Sequence, residues 1–440
     1  MKTLTLLLLF FCSVLANAQN TVADSTQIWS KHFQLTVIDQ SHTSFNAAYS
    51  GVNSLNTASE EALSVTTTLF IGHKLWKNAA VYFNPEVSGG RGVSNALGVA
   101  GFPNGETFRI GSPAPALYLA RLFYRQYIPL TGGRGLVDDD INQLKEYVPE
   151  KRLVITVGKF ALSDMFDNNN YSHDPRSQFM NWALMSNGAW DYPANTRGYT
   201  DGIALEYINP SWAVRVAGTL EPTYANGPDL DYNYFKAHGQ TVELAKNTTL
   251  SGHKGVIRLL AFRNVTKAPA YRDVINNYLN KTDVSLNALD GTTYGAVKYG
   301  FGLNAEQELT KDIGAFFRAG WNDGQTATWA FTEIDQNISL GLSYKGSKWG
   351  RPDDVFGLAA DVHGISKDHR DFLAIGGYGF IIGDGKLTNY SNEAIIESYY
   401  NAKLDKNIFV SADYQFVANP AYNADRGPVN FFSIRAHMEF

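Results

Sequence analysis

The sequence predicts an all-β chain, a transmembrane antiparallel β-barrel of about sixteen strands closed around an aqueous pore. Three observations predict it. From residue 64 onward the chain repeats segments of about ten residues in which apolar and polar side chains alternate, each followed by a turn or a polar loop. Beyond residue 20 no apolar run approaches the ~20 residues that a membrane-crossing helix needs, so a membrane could be crossed only by strands. The chain also ends on a clean alternation: Phe432, Ile434, Ala436, Met438 and Phe440 share one face, while Ser433, Arg435, His437 and Glu439 share the other. One face suits lipid and the other suits water.

The first twenty residues read as an export leader. Lys2 precedes the apolar run Leu6 to Phe11, and Ala16, Asn17 and Ala18 form a small-residue cleavage signal. The expected division is therefore a signal peptide over 1–18 and a single barrel domain over 19–440. Cys12 is the one cysteine of the chain and lies inside the leader, so the mature chain would have no thiol and no disulfide. A secreted chain without disulfides must close a large body of its own. Aromatics at 13%, 39 glycines and only 18% charged residues suit a barrel, although a soluble all-β protein could share them. The net charge of -5 argues against a nucleic-acid partner.

Fourteen segments carry the alternation well, near 64–75, 79–88, 116–127, 151–160, 201–208, 212–221, 253–263, 297–309, 312–322, 337–345, 354–365, 393–404, 407–417 and 430–440. Two weaker stretches, 30–39 and 372–382, compete to complete an even number. Three hairpins are legible, turning at Asn209 to Ser211, at Thr310 to Asp312 and at Asp405 to Asn407. Other connections, 89–114 and 161–199, are long. In a barrel of this kind short turns face the periplasm and long loops the exterior. The 161–199 loop mixes Asn, Asp, Tyr and Trp, which suits a sugar: apolar faces of pyranose rings lie on aromatic rings, and amides and carboxylates take the hydroxyls. Turn chemistry alone also enriches loops in Asn and Asp.

Four stretches, FNPEVSGGRGVSNALGVAGFPNGETFRIG at 83–111, GKFALSDMFDNNNYSHDPRSQFMNWALMSNGAWDYPANTRGYTDG at 158–202, HRDFLAIGGYGFIIGDG at 369–385 and NPAYNADRGPVNFFSIRAHMEF at 419–440, resemble the carbohydrate-selective porin family of the OprB type, in a Bacteroidetes-like version. The resemblance implies a sixteen-stranded outer-membrane barrel of a Gram-negative bacterium for diffusive uptake of monosaccharides and similar small solutes. It also implies that 369–379 is a short helix or turn at the rim, which leaves 30–39 as the first strand.

A channel does no covalent chemistry, so the candidate residues are those that face the pore. Parity places Arg121, Arg125, Glu206, Arg215, Lys298, Glu306, Glu308, Arg318, Asp361, His363, Glu397, Asp413, Arg435 and His437 in the lumen, because a basic residue facing lipid at the midplane costs ~2–4 kcal/mol. The constriction candidates are Arg121 and Arg125 on one strand, Glu106 and Arg109 in the preceding loop, and Trp190, Asp191 and Arg197 in the second loop, with Glu206, Arg215 and Arg318 from the wall. The alternative for each, and the commoner case for a lumen charge, is a solvated wall charge or one paired with a neighbouring strand.

No G-x-S-x-G elbow, H-E-x-x-H or P-loop is present, so neither an enzyme nor a cofactor is expected. Asp167 to Asn170 with Asp174 could offer oxygen ligands to calcium, but the run lacks the glycine and terminal glutamate of an EF-hand loop, and turn chemistry accounts for it better. The expected partners are small sugars, outer-membrane lipid and the barrel-assembly machinery, whose signal the terminal Phe440 resembles; monomer and homotrimer both stay open. The competing readings are a general or differently selective porin, and an exported β-rich glycan-binding protein.

Overall fold

The structure is a computed structural model and describes residues 27–107 and 114–440. The expected leader and Arg109 lie outside the described residues. The first four strands are β1 (Trp29–His42), β2 (Glu60–Trp76), β3 (Ala79–Gly90) and β4 (Ala116–Pro129). A separate hairpin follows, β5 (Arg134–Val137) with β6 (Glu146–Pro149). The wall then continues through β7 (Arg152–Phe160), β8 (Thr200–Ile208), β9 (Trp212–Thr219), β10 (His238–Leu250), β11 (His253–Thr266) and β12 (Ala296–Thr310). It ends with β13 (Ile313–Asn322), β14 (Gln336–Gly346), β15 (Arg351–Gly364), β16 (Glu393–Asp405), β17 (Ile408–Ala418) and β18 (Val429–Glu439).

Each wall strand pairs antiparallel with the next, and β18 returns to β1, so the sheet has no open edge. Phe440 extends that seam by exchanging both backbone hydrogen bonds with Phe33, at 3.0 and 2.9 Å. The expected sixteen strands are met, but not by the expected set. The weak stretch 30–39 is β1, whereas 372–382 holds the end of a helix and irregular chain. The sixteenth strand is β10, which the sequence reading did not include. Its outward face carries only Val242 and Leu244 between Gln240 and Lys246, too little apolar contrast to stand out.

The faces are inverted relative to a soluble protein. On β14, Ile338, Leu340 and Leu342 are 46–57% exposed toward the outside, while Asn337 and Ser339 on the inner face are at most 3% exposed. Aromatic pairs ring the turn end, among them Trp76 with Tyr124, Tyr207 with Trp212 and Tyr344 with Trp349. At the loop end Phe301 stacks on Trp321 and Tyr414 meets Phe432. These are the girdles that sit at the two membrane interfaces.

Seven turns of two to four residues would be expected at the periplasmic end, and six are found there, such as 77–78, 251–252 and 406–407. The seventh connection, 130–151, carries β5 and β6. The long connections all lie at the opposite end. They hold three helices, α1 (Trp182–Met185), α2 (Tyr271–Leu279) and α3 (Lys367–Ala374), and they place the apolar core of the molecule inside the barrel.

Candidate functional site

The lumen is not an open tube, because its polar wall binds the backbone of two loops that fold inward. In the 161–199 loop, Asp167 meets the Arg318 guanidinium of β13 at 3.1 Å, and Arg318 also donates to the carbonyls of Ser172 and Leu184 at 2.7 and 2.9 Å. The amides of Met180 and Asn181 donate to Glu397 at 2.5 and 3.0 Å, and Arg435 donates to the carbonyls of Pro175 and Gln178. In the 91–115 loop, the amides of Ala100 and Gly101 donate to Glu393, while Gln40 and Gln415 both donate to the Pro103 carbonyl. Backbone groups of an irregular segment need partners once they leave water, and here the wall supplies them. Gly320 of β13 lets the loop lie flush, since a Cβ there would stand 2.1 Å from Asn187 Oδ1.

These anchors hold the loops across the middle of the lumen, above a turn-end space bordered by Thr248, Glu306, Lys345 and Tyr399, and leave a passage against β1 to β4. Glu86 of β3 is its hub. It accepts from Thr68 Oγ1 at 2.5 Å, from the Tyr118 hydroxyl and from the Tyr199 hydroxyl at 3.3 Å. Arg176, from the inward loop, reaches Glu86 at 3.4 Å, Glu106 at 2.9 Å and Gln34 at 2.8 Å with three different nitrogens. Arg121 grips Asp164 with two parallel bonds of 2.6 and 2.7 Å and lies over the Tyr199 ring. Arg197 stacks on Tyr118 with its guanidinium 3.9 Å from the ring centre and donates to Ser88. Toward the exterior the passage opens into a space bordered by Asn195, Asn226 and Phe331, and toward the periplasm into one bordered by Gln34, Phe70 and His173. Both spaces are lined by Glu106, Arg176, Tyr192, Arg197 and Tyr199, which therefore mark the eyelet between them, with Glu86 on its outer side and Arg121 and Asp164 on its periplasmic side.

A family model described as the carbohydrate-selective porin, OprB family, matches residues 53–440. The chain belongs to that family. Its fold is also that of a solved OprB: the structure of Pseudomonas putida OprB at high pH superposes with a TM-score of 0.68 at 17% identity, covering 93% of this chain and 94% of that one. The outer-membrane channel DcaP of Acinetobacter baumannii superposes with a TM-score of 0.51 at 9% identity, covering 96% of this chain and all of that one. Comparison with curated protein sequences gave no match. This OprB-family chain is thus an outer-membrane β-barrel porin for carbohydrates, and both its family and its fold are those of channels.

Within the OprB barrel the candidate residues divide. Arg121, Glu106 and Arg197 come together at the eyelet, whereas Arg125 lies nearer the periplasm, against the rings of Tyr82 and Phe123. Glu206 and Arg215 pair on the wall at 2.8 Å, and Arg215 continues to Glu243, which also holds the Asp167 amide. Three candidates do not face the passage. Trp190 is 1% exposed, packed on Phe166 and Tyr192; Asp191 accepts from the amides of Trp329 and Ala330; and Arg318 is buried under the loop it anchors. The physical reason is that a loop entering a polar lumen must bury its own apolar side and satisfy its own amides. Asp167, Asn170 and Asp174 likewise spend their side chains on protein partners: Arg318 and Asn304, Glu306, and Ser177.

Arg176, Glu86, Tyr118, Tyr199 and Asp164 were not among the candidates. Tyr118 was hidden by a bulge: β3 pairs Asn84 with Arg121 but Pro85 with Leu119, so Ala120 is unpaired and side chains three apart both turn inward. Pro85, which cannot donate to the ladder, is the sequence signal that marks the bulge.

The loop carboxylates at the eyelet differ in acidity. Burial raises Glu106, Arg176 offsets only part of this, and the charges of Asp174 and Glu86 add to the rise, so Glu106 titrates above the usual range. Burial also opposes ionisation of Asp164, but the Arg121 guanidinium outweighs it and holds that carboxyl below the usual range. As pH falls, Glu106 therefore protonates ahead of an ordinary glutamate, near ~4.3, and Asp164 after an ordinary aspartate. The eyelet then gains net positive charge, and ion selectivity is expected to move toward anions. Reversal potentials under a salt gradient across an acid titration check this. Glu106→Gln should show the acid-side value already at neutral pH, and a wild-type potential independent of pH down to the ordinary carboxylate range would contradict the assignment.

Proposed function

We propose that monosaccharides and similar small hydrophilic solutes cross this barrel by diffusion, passing the eyelet formed by Arg121, Arg176, Arg197, Glu86, Glu106 and Asp164. The observation that carries this reading is the balance of those charges: three guanidiniums face three carboxylates, with Arg121 paired to Asp164, Arg176 shared by Glu86 and Glu106, and Arg197 laid on the Tyr118 ring and hydrogen-bonded to Ser88. A neutral polyol meets donors and acceptors of both kinds and exchanges hydrogen bonds at the edges of existing pairs. At Arg121 and Arg176 an ion would have to compete with an opposite charge already in place. The Tyr118 and Tyr199 rings beside the arginines add apolar surface suited to the C–H faces of a pyranose.

Delivery fits the same function. A leader cleaved after Ala18 and a final strand ending in Phe440 suit export and recognition by the barrel-assembly machinery, and the aromatic girdles suit insertion among outer-membrane lipids. Pore residues beyond the eyelet, such as Arg125, shape the exit. Liposomes containing the purified protein and loaded with an impermeant osmolyte should swell faster in monosaccharides than in amino acids of equal size. Equal rates would remove carbohydrate selectivity from the reading, and no swelling would remove the channel.

A further inference from the structure

The inserted segment 130–151 is built into the periplasmic mouth. Its base is tied to neighbouring strand ends, with Arg134 donating to Asn78 Oδ1 at 2.8 Å and Lys74 paired with Glu146 at 3.1 Å. Its tip is tied one strand further on, where Asp139 pairs with His32 of β1 at 3.2 Å. From above, Arg125 donates to the Asn142 carbonyl at 3.1 Å, and Leu144 is buried in the same apolar cluster as Tyr82 and Phe123. The tip therefore lies within the barrel mouth, held from three directions.

The free space below the eyelet is bordered by Ile141 and by Gln34 of β1. The next space toward the periplasm is bordered by the same two residues, now with Asp140, Lys406, Glu439 and Phe440 from the tip and the turn-end rim. A solute that leaves the eyelet along β1 passes between the hairpin tip and that strand. We propose that the hairpin is a second constriction, at the periplasmic exit, with Ile141 as the side chain that a sugar slides past. Asp140, exposed beside it, makes this exit less favourable for anionic sugar derivatives than for neutral ones. This inference rests on the channel reading and adds to it a specificity-determining residue that lies outside the eyelet.

The test is thiol modification of single channels in planar bilayers, using Ile141→Cys in a chain also carrying Cys12→Ser. Modification by a trimethylammonium-ethyl thiosulfonate should lower conductance by roughly a third or more, as expected when bulk is added at a constriction. The same reagent on Leu136→Cys, which is exposed on the hairpin away from both spaces, should change nothing. An unreactive thiol at position 141, or a thiol shown by mass to be modified with no loss of current, would overturn the proposal. A second variant joins β4 to β7 directly, since Pro129 and Arg152 are cross-strand partners and a short turn can connect them. Removing the hairpin should raise conductance and the rate of glucuronate entry relative to glucose, and unchanged values would also overturn it. If this variant does not fold, the thiol result decides. A channel that still passes sugar but ignores position 141 removes only the exit constriction; a chain that passes no sugar removes the channel reading itself.

Discussion

Replacing Arg318 by methionine is expected to release the inward loop and raise single-channel conductance severalfold, with the barrel wall intact. Arg318 is fully buried, and its guanidinium answers Asp167 and the carbonyls of Ser172 and Leu184 at once. Methionine keeps much of the volume but leaves a buried carboxylate and two carbonyls without that donor. Removing one partner of a buried ion pair costs about 3–5 kcal/mol, far more than an exposed pair is worth. That loss falls on the docking of the 161–199 loop, because the strand pairing of β13 uses backbone groups only. Three readings check the outcome: conductance and current noise, protease cleavage within the loop, and the heat-dependent gel mobility that reports an intact barrel. Wild-type conductance together with an uncleaved loop would show that the other anchors hold it without Arg318.

Arg176→Ala should produce the largest change in selectivity. The side chain bridges Glu86, Glu106 and Gln34, so its removal leaves two carboxylates facing the passage with one fewer guanidinium among them. Cation permeability should rise. The capacity of sugars to block ion current should weaken by about tenfold or more, since hydrogen bonds to a charged group contribute ~1.5–3 kcal/mol each. Arg176→Lys keeps the charge but not the planar fork, and should restore ion selectivity better than sugar block. Unchanged block in both variants would place the sugar path elsewhere.

The two predictions concern residues of different legibility. Arg318 reads as a lumen residue because it shares a face with Gly314, Phe316 and Gly320, opposite Ala315, Phe317, Ala319 and Trp321. Its work as an anchor could not be seen, since Asp167 lies about 150 positions earlier in the chain. Arg176 sits in a turn of the second loop with no periodic context, so nothing local distinguishes it from a solvated charge. Glu86 and Tyr118 stood on strands whose inner faces were partly legible, but the bulge at Ala120 reversed the parity for Tyr118. β10 was overlooked for the opposite reason, a correct alternation with too little apolar contrast.

Strand identity, the inward and outward faces, the short hairpins and the barrel itself are local properties, carried by side chains two positions apart and by turns of a few residues. A reader of the amino acids alone reaches them because each strand must show apolar groups to lipid and polar groups to water, independently of its neighbours. The course of the pore is of another kind. It depends on which carbonyls and amides of a long loop meet Arg318, Glu397 and Arg435 across the lumen, and on a hairpin pinned by His32 and Arg125. Those pairings join residues far apart in the chain, and their energies arise only once the barrel has closed and removed the alternative of water.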